Sequence, residues 1–138
     1  MRVMRVCVFV AFGVLMASLS FAADADSIAR GKYLVDEVAK CTACHTQRGS
    51  DGMPDAAKYL KGATLEFQPT AEIKGWHKAS PDITSTSRLW ARWGDDGSVK
   101  FFETGANPRG NPAGPPMPAY KLSHADAQAV VDYLKSLK

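Results

Sequence analysis

The chain has 138 residues and a formal net charge of +3. So small a positive excess excludes the basic face by which a domain holds nucleic acid. The length is that of one domain behind a leader, and no internal repeat or low-complexity tract interrupts it.

Met1–Arg5 carries two arginines and no acid, Val6–Leu19 is nearly all apolar, and Ser20-Phe21-Ala22 sets small residues where a signal peptidase reads. This predicts a secretory signal peptide over 1–22, removed after Ala22, with Ala25 as the alternative. An uncleaved anchor competes, because the apolar run approaches the roughly 18 residues a span needs, but a cleavage site ends it. Cys7 falls in this run without the small-residue box of a lipoprotein cysteine. The expected product is one domain, 23–138, exported to the periplasm, with no stable membrane insertion. Losing Arg2 and Arg5 lowers its formal charge to +1 and leaves Cys41 and Cys44 as its only cysteines, so no structural disulfide remains to be made.

Asp24–Ser27 offers capping residues, and Ile28, Gly31, Leu34, Val35 and Val38 then recur at helical spacing. A helix is predicted from about Ser27 to Lys40. Gly31 in its middle costs about 1 kcal/mol relative to alanine, which is explained if another helix approaches closely there.

The helix leads into Cys41-Thr42-Ala43-Cys44-His45, a C-x-x-C-H pattern. Two cysteines three apart lie on one side of a helical turn and can reach two vinyl groups on one porphyrin edge. The histidine that follows can swing its imidazole beneath the iron. That is the attachment signature of a c-type haem, with His45 as the proximal ligand. A thioredoxin-like redox pair would need a βαβ context, and none is visible. A structural zinc site would need four ligands, whereas His77 and His124 lie far apart in sequence. A plain exported disulfide is the third alternative.

After His45 the pattern breaks. Thr46–Pro54 reads as loop, Asp55–Leu60 as one short helical turn, and Lys61–Pro81 shows no sustained periodicity apart from a short β-pair around Thr64–Phe67. So long an irregular stretch would be suspect in an ordinary core, but suits a segment wrapped round a large apolar cofactor. Ser85–Trp93 is predicted as a short helix, Asp95-Asp96-Gly97 as a turn, and Ser98–Thr104 as a second helix closed by Gly105. Phe101 and Phe102 are expected in the core beside the haem.

Ala106–Tyr120 reads A-N-P-R-G-N-P-A-G-P-P-M-P-A-Y, which cannot be helix. Prolines reduce the entropy lost on ordering, so this loop can hold Met117 in one place, and a thioether on a stiff loop suits an axial position. Met53, eight residues past His45, is crowded. His124 falls in the first turn of the last helix, and His77 is the serious rival. That last helix opens at Ser123, with Asp126 completing an approximate capping box. Ala127, Val130, Val131, Leu134 and Leu137 form its apolar stripe.

Arg30-Gly31-Lys32-Tyr33-Leu34, Cys41–His45, Ser80-Pro81-Asp82-Ile83-Thr84, Pro116-Met117-Pro118-Ala119-Tyr120 and Leu122-Ser123 together resemble the class I monohaem c-type cytochromes. The likeness is greatest to those that accept electrons from periplasmic dehydrogenases, and runs from Gly31 to Leu137. It implies an all-α fold round one covalent haem c, bound through Cys41 and Cys44, with His45 and Met117 as axial ligands. It also implies that the first and last helices cross, at Gly31 against the Val130–Leu134 face. Lys61–Lys78 and Asn107–Pro116 depart from the pattern, and Trp76, Trp90, Trp93 and Arg109 are the candidates to meet a propionate. The expected role is a periplasmic electron carrier, not an enzyme. Its redox partners would be a dehydrogenase as donor and a cytochrome or terminal oxidase as acceptor. The alternatives are a haem enzyme or a gas or redox sensor with a displaceable sixth ligand, and a cytochrome subunit held permanently in a dehydrogenase complex.

Overall fold

The computed structural model describes residues 25–138. The predicted signal peptide, 1–22, lies outside them. Helix α1 (25–33) continues into a π-helical turn, Leu34–Val38, instead of the plain α-helix expected to Lys40. Ala39 N donates to Leu34 O at 2.8 Å, and Lys40 then takes a left-handed conformation at φ 53°. The widened turn adds a residue to the last coil and ends the helix at Val38, with Ala39 and Lys40 between it and Cys41.

Next come α2 (Thr42–His45), a 3₁₀ turn (Ala56–Lys58), and two antiparallel strands, β1 (Ala63–Thr64) and β2 (Ala79–Ser80). Asp55 caps the 3₁₀ turn by accepting from Ala57 N. The β-pair is shorter than expected and begins one residue earlier. It closes the long excursion through residues 65–78 at its base, where Leu65 N also donates to Lys78 O at 2.9 Å.

Helix α3 (Arg88–Thr104) starts at Ser87, whose hydroxyl accepts from Leu89 N, two residues later than the expected start at Ser85. The interruption is not the predicted turn at Asp95-Asp96-Gly97 but Gly94 alone, at φ 66°, ψ 178°. That region of backbone space is essentially open only to glycine. Asp95 and Asp96 instead begin the second helical segment, where carboxylates suit the positive end of the dipole. Gly105, at φ 74°, closes the helix as expected.

Helix α4 (His124–Ser136) is capped by Ser123, whose hydroxyl accepts from Asp126 N. Its apolar stripe is the centre of the molecule. Val130, Tyr133 and Leu134 pack with Leu34, Val35 and Leu60, while Ala127 and Val131 pack with Val99 of α3. Each such Val or Leu contributes about 1.5–3 kcal/mol by leaving water. Helix α1 crosses α4 at Gly31, where an added Cβ would lie 1.9 Å from Ala129 O and 2.6 Å from Tyr133 Cβ. The expected crossing is therefore present, with the closest approach at Ala129 and Tyr133 flanking the Val130–Leu134 face. Ser27 to Asp132 (2.7 Å) and Arg30 to Asp126 (2.8 Å) tie the same two helices.

Candidate haem site

The cysteines and histidine are set by one short turn. His45 N donates to Cys41 O at 2.8 Å and Cys44 N to the same oxygen at 3.2 Å, so Cys41 and Cys44 share a side and His45 points inward. Both cysteines are half-buried and neither is in a disulfide among the described residues. His45 is only 4% exposed. Burial pushes the Cys41 thiol up to about 11, the opposite of the low thiol pKa that a redox-active C-x-x-C pair requires.

His45 Nδ1 lies 2.8 Å from Pro81 O. A carbonyl only accepts, so Nδ1 carries the proton and Nε2 is left with its lone pair. Ligating histidines are oriented in this way, by a second partner that fixes the tautomer. Burial lowers the imidazole pKa, against the pull of the Pro81 carbonyl, which keeps the ring neutral. The residue before Pro81 holds the other side of the motif. Ser80 Oγ donates to Cys44 O at 2.5 Å and accepts from Ala63 N at 3.0 Å, and Gly62 N donates to His45 O at 2.8 Å. Downstream, Asp82 accepts from Thr84 N and from the hydroxyls of Thr84 and Thr86. Burial alone would raise the Asp82 carboxyl, but these bonds outweigh it and hold it below its ordinary range.

Met117 is half-buried in a loop fastened on both flanks. Upstream, His77 N donates to Pro115 O at 2.8 Å, and Met117 N donates to Gly114 O at 3.1 Å. Downstream, Tyr120 OH donates to Ala39 O at 3.2 Å, beside the π turn that precedes Cys41. The other candidate ligands lie elsewhere: Met53 is 64% exposed, His77 is exposed against Gly114, and His124 is exposed and bonded to Glu103 at 2.7 Å. Among the described residues no three His, Cys, Asp or Glu side chains cluster as a metal-binding group, so C-x-x-C is not half of a zinc site there.

An apolar cavity opens beside Cys41, lined by Leu34, Val38, Phe102, Tyr120 and Leu122 among others, and a second lies beside Cys44 against residues 63–67. Val38, on the predicted buried stripe, is 56% exposed and borders the first cavity. An open aliphatic side chain, two unpaired thiols on one edge and a neutral imidazole with a free Nε2 fit one group: an iron porphyrin attached through its vinyls.

The cytochrome c family model matches residues 28–138. The chain belongs to the cytochrome c family. Members carry covalently bound haem c, and the chemistry of Cys41, Cys44 and His45 fits that cofactor. The fold, helical with one two-stranded sheet among the described residues, is that of a class I cytochrome. The chain is 34% identical over 114 residues, 78% of its length, to the fructose dehydrogenase cytochrome subunit of Gluconobacter japonicus. It is 33% identical over 115 residues, 80% of its length, to the cytochrome c subunit of the quinone-dependent alcohol dehydrogenase of Gluconobacter oxydans. To the gluconate 2-dehydrogenase cytochrome c subunit of Pantoea cypripedii it is 32% identical over 124 residues, again 80% of its length. These matches span only 21%, 24% and 26% of the relatives' own lengths. By name all three relatives are cytochrome subunits of dehydrogenases. No helix among the described residues is long and apolar enough to cross a membrane.

Sequence reasoning did not find the tie between His45 and Pro81 as a contact. Ser80 and Pro81 stood out only through the family resemblance, and 36 residues separate His45 from its acceptor.

Proposed function

We propose that this chain is a periplasmic electron-transfer protein with one haem c, delivered by the signal peptide at 1–22 and folded as one domain over 23–138. Cys41 and Cys44 form the two thioether links, His45 Nε2 is the proximal ligand and Met117 Sδ the distal one. The observation that carries the reading is the His45–Pro81 hydrogen bond, which commits Nδ1 and leaves Nε2 for a metal. Haem c supplies one-electron iron chemistry. The protein's part is to fill both axial positions, so that no coordination site is left for a substrate. It also holds the two ligands still, which keeps rearrangement on electron transfer small. The fastening of the methionine loop at Pro115 and Tyr120 supports that role.

The donor in this reading is a periplasmic dehydrogenase and the acceptor a cytochrome or terminal oxidase. Between Gly105 and Ala125 the only charged residues are the cations Arg109 and Lys121, both exposed, so an acidic patch on a partner suits this face. Such docking is weak and weakens further with salt. Transfer rates that stay flat from low to high salt would refute that part.

The test of the ligands is absorption spectroscopy on wild type and Met117→Ala, produced in a host that attaches haem. Ferric wild type should show the weak far-red sulfur-to-iron charge-transfer band. The variant should lose it and bind carbon monoxide when reduced. A wild type without the band and already open to carbon monoxide would make the protein a haem enzyme or sensor.

A further inference from the structure

Leu60 is wholly buried, in the core cluster with Leu34, Val35, Val130 and Leu134, yet its backbone is left-handed at φ 57°. A bulky apolar residue avoids that region of backbone space, and the strain persists only where the surroundings over-determine it. At Leu60 the side chain is anchored in the core. Its backbone and that of Gly62 are tied to two segments at once.

On one side the turn holds the segment that carries the proximal ligand. Leu60 N donates to the Thr46 hydroxyl at 3.0 Å, and Thr46 is itself only 3% exposed. Gly62 N donates to His45 O at 2.8 Å. On the other side the turn holds the segment that receives the His45 proton. Ile83 N donates to Leu60 O at 3.0 Å. Gly62, at φ 88°, packs so closely that an added Cβ would lie 2.7 Å from Ser80 O and 2.9 Å from Pro81 C and from Asp82 N. Those neighbours are backbone and cannot rotate away. His45 and Pro81, 36 residues apart in sequence, are therefore fixed relative to each other through Leu60–Gly62.

The distance so fixed is the 2.8 Å between His45 Nδ1 and Pro81 O. A ligating imidazole that gives its second N–H to a carbonyl is the more basic at its other nitrogen. A more basic ligand favours ferric over ferrous iron. We propose that the Leu60–Gly62 turn, latched to Thr46, is a positioning clamp that holds Pro81 O against His45 Nδ1 and so sets how strongly His45 Nε2 donates to the haem iron. The clamp rests on the haem reading above.

Two variants of the haem-loaded protein test it. Gly62→Ala thrusts a methyl group at Ser80–Asp82, whereas Thr46→Val keeps the shape at 46 and removes the acceptor of Leu60 N. Each should draw Pro81 O away from His45. In the reduced, diamagnetic protein labelled with ¹⁵N, the resonance of the His45 Nδ1 proton should move upfield. The reduction potential should shift to a more positive value. Gly94→Ala strains the backbone elsewhere, at φ 66°, ψ 178° in α3, and should lose stability with both readings in place. Either reading unmoved in Thr46→Val overturns the proposal, even if Gly62→Ala does not fold. So does an equal shift in Gly94→Ala, which would make the effect one of general loosening. Wild type that lacks covalent haem on a denaturing gel overturns the haem reading itself, an outcome distinct from either.

Discussion

Replacing Gly31 by alanine sets two physical effects against each other. In an isolated helix, Gly→Ala stabilises by about 1 kcal/mol. In this fold the new methyl would sit 1.9 Å from Ala129 O, a backbone atom that cannot rotate away. Moving it out to the 3.4 Å of ordinary contact means parting α1 from α4 by about 1.5 Å. That separation loosens Leu34 and Val35 against Val130, Tyr133 and Leu134, the larger of the two core clusters. Overpacking in such places costs about 1–3 kcal/mol. Because the obstacle is backbone, the upper part of that range is expected, for a net loss of about 2 kcal/mol after the propensity gain. For a domain of this size that lowers Tm by on the order of 10 °C. The assay is guanidinium and thermal unfolding of the ferric haem protein, followed by far-UV circular dichroism. The midpoint should fall with an unchanged denaturant slope. A variant as stable as wild type, or more stable, would show that the helices do not cross at Gly31.

Gly94→Ala should also destabilise, by about 1–3 kcal/mol, although it lies within a helix, because φ 66°, ψ 178° excludes a side chain; the same unfolding assay reads it, and a gain in stability refutes the break. Tyr120→Phe removes the tie to Ala39 O, costing about 0.5–1.5 kcal/mol. It should speed cyanide binding to the ferric protein as the Met117 loop loosens; an unchanged rate would mean that the tie does not hold the loop. Asp82 is held below its ordinary pKa by Thr84 and Thr86 against the effect of burial. A depressed folded pKa contributes stability above the unfolded value and loses it as pH falls through the folded one. The stability gap between wild type and Asp82→Asn should therefore be full well above pH 3.8 and close as pH drops below it. A gap independent of pH down to that range would assign the Asp82 effect to packing alone.

The features that depend on near neighbours were legible without coordinates. C-x-x-C-H is a local template, since two vinyl groups and one iron dictate a spacing that five consecutive residues satisfy. The last helix carries its own cap at Ser123 and its own apolar stripe. Gly31 announced a close contact because nothing in its own helix explains it, and the proline-rich run round Met117 excluded helix by covalent geometry alone. Predictions went astray where two local signals compete. Asp95-Asp96-Gly97 has turn chemistry, yet the dipole of the following helix accepts those carboxylates and one glycine before them absorbs the break. The plain α-helix expected to Lys40 widened into a π turn at Leu34–Val38, where Ala39 N reaches back five residues to Leu34 O, a choice that the apolar spacing does not announce. Only the tertiary structure decides that Pro81, 36 residues on, receives the His45 proton, that Tyr120 reaches Ala39, and that Trp76 alone of the candidate donors is buried without a partner. Those choices depend on the route by which the irregular middle of the chain wraps the haem site. That route has no periodicity in the sequence, because residues 65–78 form no repeating element and are closed only by the two-residue β-pair at their base.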